Sequence, residues 1–584
     1  MSGRDLHVSV VANPAAAGAA ARRRLRSGED LDDSARAALQ WIIGRADRDA
    51  GFLESSRRAL HSVLGHARTT GDERTFVGAS CSLAYTLMRL GDLDGAGRVL
   101  DVAAISATPI EQARIGAQRA ELIGYRGRLA LGAAMLRTAC DEMRRLDDVI
   151  HEARHRAHLA EMYCELDRYA AARAQLDRSV ELAERLDLDL LVAHGFGTLG
   201  RILMLQGDLP GALRALGNSE QRHRRAQTFA YLPTVLAAHA QALALAGLFD
   251  DADVGFQHAV RLFRGQGQQT DLPGCLCQMA HVRLAKNDPQ GARVAAEEAA
   301  ELWVAQGRRS LVTVSRSIAL EAQGLIDGPS TEVIGGLDQV AGELDGLGLL
   351  SAARRARLVV ARLRVECGDV ADEVVDQRLR TSVRRGRTGE QIALAYIDAL
   401  RAVEEGRRGA ARRALDRGVR AAVGAQACFG GFEARAQAAE SAYQLTDLGA
   451  RLAVEDRRPR ELLARIEVTR AMMTRLPPIQ PDDDEVSAPL LAELRRIGLR
   501  IRDPETPPAE RRRDEQRRLQ IERRLATRNR FRTAVRDDER PAVNVAIQQA
   551  IELLGDDRQL LAHANIDGRL WAVSVTRGRA RLHE

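Results

Sequence analysis

The chain has 584 residues, of which 45% are hydrophobic and only 3% are aromatic. That length exceeds what one compact core usually organises, so we expect several domains or a repeat array packed by small and aliphatic side chains. The formal net charge is +6, and Lys286 is the only lysine among the 86 basic residues. We interpret this surplus as a solvated surface rather than a nucleic-acid footprint, and no uncharged apolar stretch is long enough to cross a bilayer.

The N-terminal segment is apolar over residues 6–21 and is followed by three arginines, 22–24. A secretory signal would carry these charges before its apolar region, and Asn13-Pro14 interrupts the run. The seven cysteines are scattered and resemble no disulfide framework. We therefore interpret residues 1–33 as a flexible tail rather than an export signal. The scattered cysteines favour a reducing compartment, so we predict a cytoplasmic location.

A period of about 40 residues begins near residue 34. It is marked by residues that tolerate the left-handed backbone at a helix end. These are Gly51, Gly91, Gly127, Asp167, Gly207, Gly247, Asn287, Asp327, Gly368 and Gly406. A fixed period of this length indicates a solenoid, in which each unit covers an apolar face of its neighbour.

Small residues recur at fixed distances from these turns. Seven residues before them stand Gly44, Ala84, Ala120, Ala160, Gly200, Ala240, Ala280, Leu320, Ala361 and Ala399. In the central repeats, alanine stands five residues after the turn and another small residue stands twelve residues after it. In two later repeats, Glu332 and Glu373 take the place of that alanine. The spacing predicts helical hairpins whose two helices cross closely at small residues.

This pattern resembles the tetratricopeptide repeat, although that unit has 34 residues and a HEAT-like repeat stays open as an alternative. We predict an all-α fold: a superhelical solenoid of about ten or eleven hairpins over residues 34–476, the last turning near Asp456.

Beyond the array, the composition changes. Residues 477–485 read as a proline and acidic linker, 486–535 as a charged helical hairpin and 536–557 as a connecting helix. From Gln559 the apolar period becomes two, and Asp567-Gly568 is a strong hairpin turn. A second turn at Arg577-Gly578 completes a short β-meander over 558–584, which needs a covering layer to be stable.

The C-terminal third resembles the CHAT group of bacterial, actinobacterial-type proteins. The motifs that carry this resemblance are Arg475-Leu476-Pro477-Pro478, the charged hairpin, and the strand residues 559–561, 565–572 and 575–577. In that group a tetratricopeptide-like array precedes a caspase-like cysteine peptidase. The resemblance implies that residues 558–584 are the opening strands of a CHAT domain cut off before its catalytic His and Cys. His583 lies too early to be the catalytic histidine, so no residue is carried over.

Three patterns offer chemistry, and a structural interpretation is favoured for each. His151 and His155 with Glu152 match the zincin spacing, but they lie inside a repeat helix. Cys275 and Cys277 could hold a soft metal only with further ligands. The arginine-rich segment 511–532 could follow a phosphate backbone but has little aromatic interleaving. We therefore predict no catalytic, cofactor-binding or metal residue, no cofactor, and no nucleic-acid or membrane partner.

Two functions are consistent with this organisation. The first is a regulatory array that binds a protein or peptide on its concave face and, by the resemblance, controls the appended peptidase. Its own enzymatic activity is uncertain, because the peptidase groups are absent from the chain. The second is a standalone adaptor, or the sensor arm of a transcriptional or signalling regulator. Nucleic-acid binding through the arginine-rich hairpin ranks below both.

Overall fold

The computed structural model describes residues 10, 12–27, 30–166, 168–369, 377–384, 388–426, 442–474, 487–502, 507–529, 548, 551–552, 554 and 558–584. Two compact units are present, one formed by Met1–Leu245 and Phe249–Ala353, the other by Ala246–Leu248 and Arg354–Glu584. No helix within the described ranges is long and apolar enough to cross a membrane.

Up to residue 529 the described residues form helices and their connecting turns, including the 3-10 turn Phe229–Tyr231. The first unit contains α1 Pro14–Arg26, α2 Asp33–Ala50, α3 Leu53–Thr70, α4 Glu73–Leu90, α5 Leu93–Ala103, α6 Pro109–Tyr125, α7 Leu129–Arg145, α8 Val149–Glu165, α9 Tyr169–Arg185, α10 Asp189–Leu205, α11 Leu209–Arg225, α12 Leu232–Leu245, α13 Phe249–Gly265, α14 Leu272–Ala285, α15 Pro289–Ala305, α16 Arg309–Asp327 and α17 Thr331–Gly346.

The helix that follows spans the boundary between the units, and the remaining elements belong to the second. They are α18 Leu350–Glu366, α19 Gln377–Arg384, α20 Thr388–Glu404, α21 Arg408–Gln426, α22 Tyr443–Glu455, α23 Pro459–Thr474, α24 Ser487–Arg502, α25 Pro508–Asn529, β1 Gln559–Ile566, β2 Arg569–Thr576 and β3 Arg579–His583.

The predicted turns fall where the helices end. Gly51, Gly91, Gly127, Gly207, Gly247, Asn287, Gly368 and Gly406 all have positive φ. Two turns are displaced by one residue, to Gly328 and Arg457, and Asp167 lies outside the described residues. The prediction of helical hairpins is confirmed, and eleven of them follow one another from α2 to α23 in the described chain.

The sequence analysis missed a second set of turns, halfway between the first. Asp147, Asp187, Gln227, Gly267 and Gly307 also have positive φ and are 40 residues apart. Most helices of the central repeats therefore have 17 residues, followed by a turn that is centred on one left-handed residue. α12 and α14 have 14 residues each, and the shortening of α5 to 11 residues reduces the step from Gly91 to Gly127.

The even-numbered helices from α2 to α16 form the inner layer of the first unit. Each contacts its partner in the hairpin and also the next even-numbered helix, whereas successive odd-numbered helices have no comparable contact. The predicted small residues are buried where hairpin partners cross: a Cβ on Gly200 would lie 2.5 Å from Leu216 Cγ. Ser179 and Ser219, in the plus-twelve column, donate hydrogen bonds to Ala153 and Ala193 carbonyls at 2.6 and 2.8 Å.

The expectation of a flexible tail is wrong for Pro14–Arg26. Asn13 caps this helix by accepting from the Ala16 amide at 3.0 Å, and proline suits the first turn. The alanine-rich face then packs on α2, with Ala21 buried and Arg22 paired with Asp47.

The second unit ends in the predicted β-meander. Asp567-Gly568 and Arg577-Gly578 have the paired positive φ values of type I′ turns, and β1, β2 and β3 pair antiparallel in that order. Ala562, Val573 and Val575 of the sheet pack against Leu462 and Leu463 of α23, and Ala450 and Ala453 of α22 belong to the same cluster. This hairpin is the covering layer that three short strands need.

The charged hairpin that precedes the sheet is formed by α24 and α25. Ile497 and Ile521 meet in its small core, and Arg500 and Arg517 bind Asp514 and Glu493. The linker 477–485 lies outside the described residues, as does most of the connecting segment 536–557.

Candidate functional site

A cavity of about 220 Å³ lies against the inner layer of the first unit. One stripe of each of the inner helices α4, α6, α8, α10 and α12 lines it, with residues spaced by three, four and seven as on one helical face. The lining residues are Tyr85, Arg89, Glu121, Gly124, Tyr125, Leu129, His158, Glu161, Met162, Glu165, His194, Gly197, Thr198, Arg201, Leu216, Tyr231, Thr234, Val235, Ala238, Asp271 and Arg308.

Contacts between distant repeats close one side of this space. Arg89, at the end of α4, donates to the Ala230 carbonyl at 2.9 Å and to the Gln268 side chain. Thr270 donates to the Met88 carbonyl, and the Tyr231 hydroxyl lies 3.4 Å from Asp49 Oδ1. The repeats joined in this way are more than 140 residues apart in sequence.

A histidine–carboxylate cluster occupies one wall of the cavity. Glu121 Oε1 of α6 accepts from His155 Nδ1 at 2.8 Å and from His158 Nδ1 at 2.6 Å, both on α8. Glu121 and His155 are buried, and His158 is mostly buried. Tyr85 stacks on His158 at 6.4 Å between ring centroids, and His194 meets it edge-on at 5.5 Å.

Burial and charge act in opposite directions on this cluster. Burial disfavours the Glu121 carboxylate, but His158 and the bond from His155 outweigh it, so the pKa of Glu121 lies well below its usual value. Burial would lower the pKa of His158, but Glu121 raises it to about 9. For His155 burial prevails and its pKa is lowered. The cluster therefore holds one carboxylate and one imidazolium near neutral pH.

A second polar group joins Glu161 of α8 to His194 and Arg201 of the next inner helix, α10. Glu161 Oε1 is 3.7 Å from His194 Nε2 and 3.6 Å from the Arg201 guanidinium. Burial lowers the pKa of His194 to about 4 despite Glu161, so its imidazole is neutral at pH 7. Its Nε2 atom is buried and has no hydrogen-bond partner among the described residues.

Arg308 differs from Arg89, which donates to Ala230 and Gln268, and from Arg201, which lies near Glu161. It lies over the Trp303 ring at 4.5 Å and forms no ion pair within the described part of the chain, although Asp271 and Glu165 act on its charge from a greater distance. Burial lowers its pKa, yet the group stays a cation at neutral pH. A partly buried guanidinium without a carboxylate partner can bind an acidic group on a ligand.

The zincin-like pattern does not come together as a metal site. His151 Nδ1 is bonded to Asp148 at 2.9 Å, and Glu152 is paired with Arg156 at 2.8 Å. His155 instead bonds to Glu121 on the preceding inner helix. The structural roles assigned to His151 and Glu152 are consistent with these contacts.

Cys275 and Cys277 are buried in α14, and Cys277 Sγ lies 3.3 Å from Ser315 Oγ. Burial raises the pKa of the Cys275 thiol to about 12, which makes it a poor nucleophile and metal ligand. Neither belongs to a metal-ligating group within the described residues.

From sequence, His158 was noticed only as a third imidazole beside the zincin-like pattern and was given a structural role, and its pairing with Glu121 was not predicted. Glu121 and His158 are 37 positions apart, and only the stacking of α6 beside α8 brings them together. A usable signal was present in the inner helices, because polar residues at 158, 161 and 165 recur as 194, 198 and 201, with the spacing of one helical face.

No family model and no curated protein matches the sequence. Among solved structures, a Rap protein complexed with Competence and Sporulation Factor is similar at 12% identity and a TM-score of 0.46, over 67% of this chain and 99% of that one. The apo form of RapI is similar at 11% identity and a TM-score of 0.38, over 60% and 99%.

A further similar structure is a signal-transduction ATPase with a tetratricopeptide repeat sensor from Pyrococcus horikoshii. It has 13% identity and a TM-score of 0.38, over 64% of this chain and 56% of that one. At these values the likenesses carry no argument about function.

Proposed function

We propose that the first unit is a recognition module that binds an extended peptide, or a peptide-like segment of a protein, in the cavity of its inner layer. The observation that carries this proposal is the composition of the cavity wall. Aromatic, charged and hydrogen-bonding groups from five inner helices and the turns beside them face one space of about 220 Å³. Ligand sites combine a concave wall with a few polar groups that fix orientation in this way.

Charge defines the preferred ligand. Glu121 is satisfied by two histidines, and Glu161 lies near His194 and Arg201, whereas Arg308 has no carboxylate partner in the described residues. We therefore expect the bound segment to present an acidic side chain or a terminal carboxylate to Arg308.

The test begins with selection of binders from a random-sequence synthetic peptide library on the immobilised full chain. The affinity of the enriched peptide is then measured by fluorescence anisotropy for two variants. Thr234→Trp fills the cavity and should weaken binding at least about tenfold. Val254→Trp, on the exposed face of outer helix α13, is the matched control and should leave binding unchanged. Equal affinities, with both variants folded, would contradict the proposal.

We further propose that occupancy of the array regulates a caspase-like cysteine peptidase that begins with β1–β3. Support comes from the residues that resemble CHAT proteins and from the packing of the sheet on the last hairpin of the array. In such a peptidase a histidine activates a cysteine thiolate for acyl transfer.

The reading frame is the first test of this second step. A frame that continues past Glu584 with a downstream His and Cys, and peptide-dependent proteolysis by the longer protein, would support regulation. A stop codon there would instead favour a standalone adaptor or sensor arm.

A further inference from the structure

Glu121, His155 and His158 have the composition and proximity of a metal-ligating set. One ligand atom from each lies within 4.8 Å of the others, and no other group of this kind occurs within the described residues. Glu121 Oε1 is 2.8 Å from His155 Nδ1 and 2.6 Å from His158 Nδ1. These distances describe the cluster without a metal, in which ring protons bridge the nitrogen and oxygen atoms.

Little movement would convert this arrangement into a coordination shell. Metal–ligand bonds of about 2.0–2.1 Å place neighbouring ligand atoms about 2.9–3.4 Å apart in octahedral or tetrahedral geometry. The two observed separations need to open by less than about 1 Å. His155 would shift its proton from Nδ1 to Nε2, and the His158 imidazolium would release its Nδ1 proton to solvent, so the ion replaces hydrogen bonds rather than breaking a packed core.

The surrounding groups hold the two imidazoles in place. His158 packs between Tyr85 and His194, and His155 stacks on His151 at 6.5 Å between ring centroids. His151 is itself fixed by Asp148 at 2.9 Å and so stands outside the set. Packing of this kind orients ligands before a metal arrives.

We propose that Glu121, His155 and His158 bind one divalent transition-metal ion, with an open coordination position that faces the cavity. Two imidazoles and one carboxylate suit Zn²⁺ and its neighbours in the first transition row better than Mg²⁺ or Ca²⁺. Glu121 and His158 both line the cavity, so a ligand there can complete the shell. The metal site goes beyond the proposed function and does not depend on peptide binding.

The experiment uses the full chain, stripped with EDTA and freed of chelator. Isothermal titration with ZnCl₂ should give one ion per chain. The Co²⁺-loaded protein should show visible d–d bands without a thiolate charge-transfer band. His155→Ala and His158→Ala should each weaken Zn²⁺ binding at least about tenfold, and the control His61→Ala, at an exposed histidine of outer helix α3, should not.

Several results would overturn the proposal. They are wild-type protein that takes up no stoichiometric Zn²⁺, a Co²⁺ spectrum with a thiolate band, or unchanged affinity in folded His155→Ala and His158→Ala. The wild-type spectrum decides the question even if a variant fails to fold. Fluorescence anisotropy with the selected peptide in the presence of EDTA separates the two proposals. If the peptide binds without metal, peptide recognition holds whatever the metal titrations show.

Discussion

Gly200 and Gly217 show how the crossing of α10 and α11 depends on single atoms. A Cβ on Gly200 would lie 2.5 Å from Leu216 Cγ and 3.2 Å from the Ala212 carbonyl oxygen, whereas Gly217 has open space at the same position. Both glycines are helical, so an alanine at either site gains the same helix propensity. Only the packing differs between them.

We expect Gly200→Ala to lower the free energy of unfolding by about 1–3 kcal/mol, because Leu216 must leave its position. Gly217→Ala should be neutral or stabilise by up to about 1 kcal/mol. Urea unfolding followed by circular dichroism measures both changes. Equal effects at the two sites would show that the helices do not cross at Gly200.

His223 makes the stability of the first unit sensitive to acid. It is buried in α11, bonded to Thr228 Oγ1 at 2.8 Å and stacked on Tyr231 at 5.2 Å between ring centroids. Burial lowers the pKa of His223 to about 3. The nearby His194 adds a smaller effect in the same direction, and Asp49 opposes it. The folded state therefore binds this proton less readily than the unfolded chain, where the pKa is about 6.5.

Stability should consequently fall as the pH drops from about 6.5 towards 3. The His223→Asn variant, which cannot charge, should lose less stability over this range, although removal of the ring lowers its stability at pH 7. The thermal midpoint measured at several pH values checks this. Parallel pH profiles for the wild type and the variant would contradict it.

At the scale of elements, most helices of the central repeats are followed by one left-handed residue in the described chain, and residue type sets the cost of that turn. Gly207 follows α10 with φ 86°, and Gln227 follows α11 with φ 54°. Both are exposed, and a side chain at Gly207 would meet no atom within 4 Å. The backbone alone therefore decides the effect of a substitution.

Gln227→Gly should raise the free energy of unfolding by up to about 1 kcal/mol, and Gly207→Ala should lower it by about 1–2 kcal/mol. The two variants are matched because the turns occupy equivalent places. Chemical denaturation of both reports the difference. Effects of the same sign would mean that the turns are not equivalent.

The elements were predictable where their signals are local. Left-handed turns at Gly91 or Gly207, and the type I′ turn at Asp567-Gly568, depend on a few adjacent residues, so the sequence predicted them. The second set of turns, which includes Asp187, Gln227 and Gly267, was missed because only one turn position was sought in each 40-residue period. The pairing of Glu121 with His158, and of Arg89 with Gln268, depends on how repeats stack, and no adjacent residue signals it.

At the scale of the whole molecule, we assign peptide recognition to the inner helices of the first unit. Arg308 tests the charge preference of the cavity. Arg308→Ala should weaken the selected acidic peptide about tenfold, because a charge-assisted hydrogen bond contributes about 1.5–3 kcal/mol.

The matched control is Arg264→Ala. Arg264 is an exposed arginine of outer helix α13 that is paired with Glu298 at 2.6 Å, and its removal should not change the affinity. Anisotropy titrations of both variants supply the comparison. An equal loss in the two would point to a general effect of net charge.

Hydrogen-exchange mass spectrometry of the full chain, with and without the selected peptide, tests the central claim most directly. If the peptide binds in the cavity, we expect slower amide exchange in α6, α8, α10 and α12 when it is present. The outer helices α7, α9 and α11 should change little. Protection confined to the outer helices, or to β1–β3, would contradict binding in the cavity.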